Sequence, residues 1–268
     1  MESINLLNNG SNDIATGFYD LDYAINGLNK SELIVIASRP AMGKTNFLLN
    51  IATNVAVERK IPVALFNLEL SKEQCIERMI AQKSSVNINN IKTNIVNDEK
   101  ANQVKTAIKE LADAPIYIDD TPVISFKELR EKSFKLKEEK DIGLILVDYL
   151  QLINDGKDEN ICALLKNLAQ ELDIPVVVLS QLSKAPQERF ENGLDPKPIL
   201  SDINKTISKE SDVLIFLHRD NYYSTDSEEK DIVDLIIAKN KLGNTGTVKL
   251  LFKNDCLKFK NIEGNIEE

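Results

Sequence analysis

The stretch Leu33-Ile34-Val35-Ile36-Ala37-Ser38-Arg39-Pro40-Ala41-Met42-Gly43-Lys44-Thr45 constrains this chain more than any other. An unbroken apolar run passes into a short loop, and apolar residues at helical spacing follow at Phe47, Leu48, Ile51, Ala52 and Val55. The pattern predicts a buried strand, a tight turn and a helix that begins near Gly43. A loop feeding a helix N-terminus aims several unpaired N–H groups at one point, where the helix dipole also favours negative charge. That describes a phosphate-binding loop. Lys44 would supply a cation to the β- and γ-phosphates of ATP, Thr45 a hydroxyl to Mg2+, and Gly43 a position where backbone meets ligand without a side chain between them. Ser38 stands where the pattern G-x-x-x-x-G-K-[ST] has its first glycine. Gly43-Lys44-Thr45 alone would fit any helix start, and the strand and helix on either side are what select phosphate binding. The candidate nucleotide-contacting residues are therefore Ser38, Arg39, Pro40, Ala41, Met42, Gly43, Lys44, Thr45 and Asn46.

With 268 residues, 43% of them hydrophobic, the chain can fill the core of one large α/β domain or two small ones. No apolar run approaches a membrane span, and residues 1–12 lack the basic and apolar regions of a signal peptide. A cytoplasmic protein with no membrane partner is predicted. Cys75, Cys162 and Cys256 are scattered and odd in number, which argues against a disulfide framework and against a zinc ribbon. His218, the single histidine, would have to serve any histidine metal site or catalytic triad, and its place in an apolar strand predicts a structural role. A formal net charge of −9 repels nucleic acid overall. Local basic patches can still bind it, because phosphate contacts respond to the nearby field.

Residues 1–15 read as a loose leader, turn-rich around Asn8-Asn9-Gly10. A helix start follows at 16–22, with Leu21, Ala24, Ile25 and Leu28 at helical spacing. Residues 63–69 read as a strand, and 72–82 as a helix capped by Ser71. A polar stretch over 84–97 leads to a helix at 99–111, a short strand at 115–120 and a charged amphipathic helix at 126–139. Strands are predicted at 144–148, 175–181 and 212–218, with a helix at 159–172. Residues 183–211, with Pro186, Gly193, Pro196 and Pro198 near their start, read as a long surface excursion. A hairpin joins 232–239 to 247–252, and the tail after Phe259 reads as polar and frayed. Strands alternating with helices predict a mostly parallel sheet covered on both faces, with antiparallel edge strands where the last connections are too tight for a crossover. One domain is predicted over 16–260, between the leader 1–15 and a tail at 261–268.

Ligands in such sheets bind beyond the carboxyl ends of the strands. Ser38, Glu69, Asp148 and Gln181 all fall at such ends. Asp148 is placed to hold Mg2+, directly or through water. Glu69 could orient or deprotonate an attacking water, or it could be a strand-end acid capping the next helix. Gln181 could contact a γ-phosphate or simply end a strand. Arg219, ahead of Tyr222-Tyr223, is a candidate active-site cation, and Phe252 and Phe259 are either core residues or a stack for adenine.

Several segments resemble, in order, the motor domain of DnaB-type replicative helicases. They are Thr16-Gly17-Phe18-x-Asp20-Leu21-Asp22, Ala37-x-Arg39-Pro40-x-Met42-Gly43-Lys44-Thr45, Leu68-Glu69-Leu70-Ser71, Tyr117-Ile118-Asp119-Asp120-Thr121-Pro122, Val147-Asp148-Tyr149-Leu150-Gln151-Leu152, Leu179-Ser180-Gln181-Leu182 and Thr245-Gly246-Thr247-Val248. The resemblance covers about residues 16–260 and implies a RecA-like P-loop ATPase core. In the family that core assembles as a ring of six, draws single-stranded DNA through its centre and binds ATP between subunits. The resemblance implies Lys44 and Thr45 on phosphate and Mg2+, Glu69 as general base, Asp148 as the metal-site acid and Gln181 on the γ-phosphate. It also implies Lys239 as a cation given to a neighbouring subunit.

The chain departs from that pattern at ring and DNA contacts. Lys241 stands where the family has an arginine finger, and a lysine lacks the planar fork that spreads over phosphoryl charge. The segment 201–212 aligns with the DNA-contacting loop but is shorter and lacks its arginine and glycine; 154–161 is also short. Two readings follow. One is an ATP-dependent DNA helicase motor domain working in replication, with single-stranded DNA and copies of itself as partners. The other is a degenerate ATP-binding relative that docks on a replicative helicase as a loader or inhibitor. A monomeric nucleotide-responsive switch is a third.

Overall fold

The computed structural model describes residues 13–93, 97–153, 160–223 and 231–262. In chain order, α1 (Tyr19–Ile25) leads to β1 (Leu33–Ser38), α2 (Lys44–Thr53), β2 (Val63–Asn67) and α3 (Lys72–Ser84). Then follow α4 (Ile88–Thr93), α5 (Asp98–Ala112), β3 (Ile116–Asp119), α6 (Phe126–Lys140), β4 (Leu144–Asp148) and α7 (Ile161–Leu172). The last elements are β5 (Val176–Gln181), α8 (Ala185–Glu191), α9 (Lys205–Glu210), β6 (Val213–His218), β7 (Ile232–Asn240), β8 (Gly246–Lys253) and β9 (Lys258–Asn261). The strands form one sheet in the order β3-β2-β4-β5-β1-β6-β7-β8-β9. Pairing is parallel from β3 to β6 and antiparallel from β6 to β9, as the short final connections require.

Strand alternation decides which side chains meet which helices. Ile34 and Ile36 of β1, Leu144 and Leu146 of β4, and Val177 and Leu179 of β5 pack on the face that carries α2 and α3. Leu33, Val35, Ile145, Val147, Val176 and Val178 pack on the opposite face, against α6 and α7. Continuing the same parity one step puts Ser38, Asn67, Asp148 and Gln181 at the strand ends on the α2 face. The period-2 geometry of the core therefore aims the polar strand ends at the start of α2.

Several expectations need correction. Ile14, assigned to the leader, is buried and pairs with Leu28 in an antiparallel bridge, so packed chain begins before Thr16. Residues 1–12 and 263–268, and 154–159 of the shortened segment 154–161, lie outside the described residues. The chain beyond Phe259 is not frayed at its start: β9 continues to Asn261 and pairs with β8, and Phe259 packs edge-on to Phe47 of α2. The polar stretch 84–97 contains α4. The excursion 183–211 contains α8 and α9 and is pinned from within. Arg189 holds the buried Asp202 through its two terminal guanidinium nitrogens at 2.8 and 2.7 Å, and Ile203 and Ile207 reach the core. His218 is structural as expected: buried in β6, it hydrogen-bonds Asp220 at 2.8 Å and stacks on Tyr223. Among the described residues no helix is long and apolar enough to cross a membrane.

Candidate functional site

β1 ends at Ser38, whose hydroxyl donates to the Arg39 carbonyl at 2.9 Å. The chain then turns through Ala41 (φ +64°) and Gly43 (φ +99°), both left-handed, before α2 begins at Lys44. Gly43 is required by its φ, which is strained for any L-residue; a Cβ there would make only ordinary contacts, at 3.4 Å to the Phe259 ring and 3.8 Å to Phe252. Phe252 and Phe259 are buried with rings 4.6 Å apart, so they form the floor under the loop and do not stack an adenine. The Arg219 guanidinium lies 4.8 Å over the Phe252 ring, on the wall behind the loop. Burial pulls Arg219 below the usual arginine range, with Asp231 opposing.

Around the turn, the predicted residues play unequal parts. Arg39 reaches sideways and donates to the carbonyls of Leu182 and Ser183, at 3.2 and 3.3 Å, clasping the loop to the end of β5. Met42 is buried in the core, so only its backbone could face a ligand. The Asn46 side chain accepts from Arg78 at 2.9 Å, and its carbonyl accepts from Gln82 at 3.0 Å. Both contacts tie α2 to α3. Lys44 and Thr45 begin the helix, and the Lys44 ammonium lies 5.1 Å from the centre of the Tyr149 ring.

Asp148 is fully buried, and among the described residues nothing hydrogen-bonds either of its carboxylate oxygens. Burial pushes its pKa up to about 6. The Thr45 hydroxyl alongside opposes the rise, though not in an aligned hydrogen bond; the Lys44 charge opposes it too, while Glu69 adds to it. The strand end is held firmly, since the Leu68 N–H donates to the Asp148 carbonyl at 2.7 Å. Glu69 follows on an exposed turn shaped by Asn67, whose side-chain oxygen accepts from the N–H groups of Glu69 and Leu70 at 3.2 and 2.8 Å. Among the described residues nothing hydrogen-bonds the Glu69 carboxylate. Gln181 is exposed beside Ser38 in register, and its backbone is held by Gln151, which also donates to the Ser180 hydroxyl at 3.0 Å. Lys44, Thr45, Asp148, Glu69 and Gln181 thus converge at one edge of the sheet.

This donor set suits a hydrated divalent cation. An unsatisfied buried carboxylate costs stability unless a charge answers it. Among the described residues no group of three or more acidic, histidine or cysteine side chains could hold a metal alone. Mg2+ characteristically takes one or two protein oxygens and completes its shell with water and phosphate.

Lys239 and Lys241 are not at this edge. Lys239 pairs in register with Leu214, near the start of β6, and donates to the carbonyls of Ser208, Lys209 and Ser211 at 2.8, 3.1 and 2.5 Å, closing the C-terminus of α9. Lys241 meets Asp212 at 3.3 Å, at the end of the sheet opposite the phosphate loop. Within one chain neither can reach the nucleotide.

Tyr149, Arg78, Asn67 and Gln151 were not singled out from the sequence as site residues. Tyr149 could have been, since it directly follows the strand-end acid. Arg78 carries no local signal, because its role depends on how α3 packs on α2.

The family model described as "DnaB-like helicase C terminal domain" matches residues 13–261. The chain is 40% identical to the replicative DNA helicase DnaB of Geobacillus stearothermophilus and 39% identical to the replicative DNA helicase DnaC of Bacillus subtilis strain 168. Each alignment covers all of this chain and 61% of the relative, so the chain spans about six-tenths of their length. Among solved structures it is similar to the ATPase domain of G40P, with a TM-score of 0.89, 33% identity, and coverage of 98% of this chain and 95% of that one.

Proposed function

Because the chain belongs to the DnaB-like helicase C-terminal domain family, we propose that it is the motor domain of an ATP-dependent DNA helicase, hydrolysing ATP with Mg2+ to move on or unwind DNA in replication. Its fold is that of the RecA-like P-loop NTPases. The observation that carries the reading is the unsatisfied Asp148 carboxylate beside Thr45 and Lys44, with Glu69 at the end of the adjacent strand. Mg2+ would supply charge neutralisation across the β- and γ-phosphates. Thr45 and Asp148 would hold it, Lys44 and the loop N–H groups would seat the phosphates, and Glu69 would take the proton from the attacking water. Gln181 would contact the γ-phosphate. Lys239 and Lys241, remote from their own chain's loop, fit a contribution to a neighbouring subunit's site. The motor unit would run from Ile14, where packed chain begins, to Asn261, where β9 ends.

One observation favours the second reading, a nucleotide-binding module that docks on a replicative helicase. The segment aligned with the DNA-contacting loop borders a cleft of about 410 Å³ whose described lining includes Leu150, Gln151, Ile153, Asn160, Asn204 and Thr206. None of its described lining residues is charged, whereas a surface that tracks phosphates gains most of its affinity from cations. Solution mass and ATPase rate, each with and without single-stranded DNA, separate the two. A motor assembles with a non-hydrolysable ATP analogue and is stimulated by DNA. A chain that binds ATP but shows neither response, and co-purifies with a full-length helicase, is the docking module.

A further inference from the structure

Lys44 and Asp148 share one small space, yet they do not pair. The lysine ammonium faces the ring of Tyr149 at 5.1 Å, and both Asp148 oxygens stay without a hydrogen-bond donor. A half-buried ammonium beside a buried carboxylate would ordinarily collapse onto it, since opposite charges attract far more strongly than a cation attracts an aromatic face. Such a pair would be self-defeating here. It would neutralise the acid that the divalent cation needs and occupy the cation that the phosphates need.

Tyr149 is held where it can prevent this. The Leu68 N–H anchors the Asp148 carbonyl just before it, and a 3₁₀ turn at Leu150–Leu152 follows it, with the Leu152 N–H donating to the Tyr149 carbonyl at 3.1 Å. Leu150 is buried and Gln151 is tied to Ser180 and Gln181, so the turn has little freedom to swing the ring away. A ring face is a suitable holder because it attracts a cation without bringing a negative charge. It restrains the ammonium, and phosphate oxygens displace it easily.

We propose that Tyr149 is a positioning residue that holds the Lys44 ammonium over its ring and off Asp148, keeping the carboxylate available to Mg2+. The inference rests on the reading of this edge as an ATP and Mg2+ site. It assigns the effect to the aromatic face and not to the hydroxyl.

The test measures binding of a fluorescent, non-hydrolysable ATP analogue across a Mg2+ titration, for wild type, Tyr149→Leu and Tyr149→Phe, with thermal melts of each chain. Tyr149→Leu should need about three- to tenfold more Mg2+ for half-maximal binding, as expected for loss of one partly desolvated cation–π contact, at an unchanged melting temperature. Tyr149→Phe should match wild type. A leucine variant with the wild-type Mg2+ requirement overturns the proposal, and so does a phenylalanine variant as impaired as leucine. Should the leucine variant fail to fold, NMR of the wild-type chain decides. The ε-methylene protons of Lys44, assigned by difference from Lys44→Arg, should lie upfield in the ring's shielding region, and an unshifted resonance overturns the proposal. Failure of wild type to bind the analogue at any Mg2+ concentration would instead remove the ATPase reading and this inference with it.

Discussion

Asp148 and Asp212 are buried carboxylates at opposite ends of the same sheet, and the protein treats them in opposite ways. Asp212 sits before β6 and is fully answered: Lys166 donates at 2.6 Å, the Leu33 N–H at 2.9 Å and Lys241 at 3.3 Å. Burial alone would raise its pKa, but these donors outweigh it and hold the carboxyl below the usual range. Asp148 ends β4 with no donor among the described residues and is pushed up to about 6. The lysines divide the same way, with Lys239 closing a helix on three carbonyls while, among the described residues, Lys44 meets only a ring face. The contrast separates structure from function. Where charges are satisfied internally they hold elements together, and where they are left unsatisfied the deficit points to a ligand.

The largest effect should come from the unsatisfied end. Glu69→Gln, on an exposed turn that the fold does not lean on, should lower ATP hydrolysis by about a hundredfold or more while leaving nucleotide binding intact. Normal turnover in this variant would remove Glu69 from the base role. Lys44→Ala should instead abolish productive binding, which equilibrium binding of the same nucleotide would report.

The satisfied end should respond in stability. Asp212→Asn leaves the largely covered Lys166 without its counter-charge, a change of about 3 kcal/mol. For a domain of this size that lowers the melting temperature by about 6–12 °C. Nucleotide affinity of the isolated folded chain should hardly change, since Asp212 and Lys241 lie away from that chain's own loop. A variant that melts with wild type but loses nucleotide would reverse the division between the two ends.

Much of this was legible in the sequence, and the exceptions share a physical cause. The strand-loop-helix at 33–55 and the strand-end acids could be read because alternation and helical periodicity are local signals, and the core that aims Asp148 at α2 follows the same parity. β9 was not legible. Lys258-Phe259-Lys260-Asn261 is an edge strand with a single deeply buried side chain, so its apolar pattern is too short to stand out from a polar tail. The order within 183–211 was hidden for another reason. It depends on Arg189 meeting Asp202, a pairing that proline and glycine content cannot reveal. Tyr149 over Lys44 and Arg78 on Asn46 likewise arise from how separate elements pack. The displacement of Lys239 and Lys241 from the phosphate loop follows from the antiparallel turn at β7. The turn could be read in the sequence, but its consequence for where the lysines stand needed the register.

The smallest effect is the most specific to Asp148. Its pKa is raised from the ordinary 3.8 to about 6, so the native chain binds more protons than the unfolded one between those values. Stability from this group is therefore fully present below about pH 3.8 and is lost as pH rises through about 6, a loss of at most about 3 kcal/mol. Asp148→Asn removes the titration. Its advantage over wild type should be smallest at the acid limit, grow between pH 4 and 6, and level off above about pH 7. The rise from the acid limit to the plateau should be at most about 3 kcal/mol, because any penalty of the unpaired buried amide is the same at every pH and moves the whole curve. Urea melts of both chains at pH 4.5, 5.5 and 7.5 would read it. Asp212 cannot imitate this profile, because a lowered carboxyl loses its stabilisation as pH falls, in the opposite sense and in a more acidic window. An advantage that stays flat with pH, or that shrinks as pH rises, would mean that Asp148 is already satisfied and that the two ends of the sheet are alike.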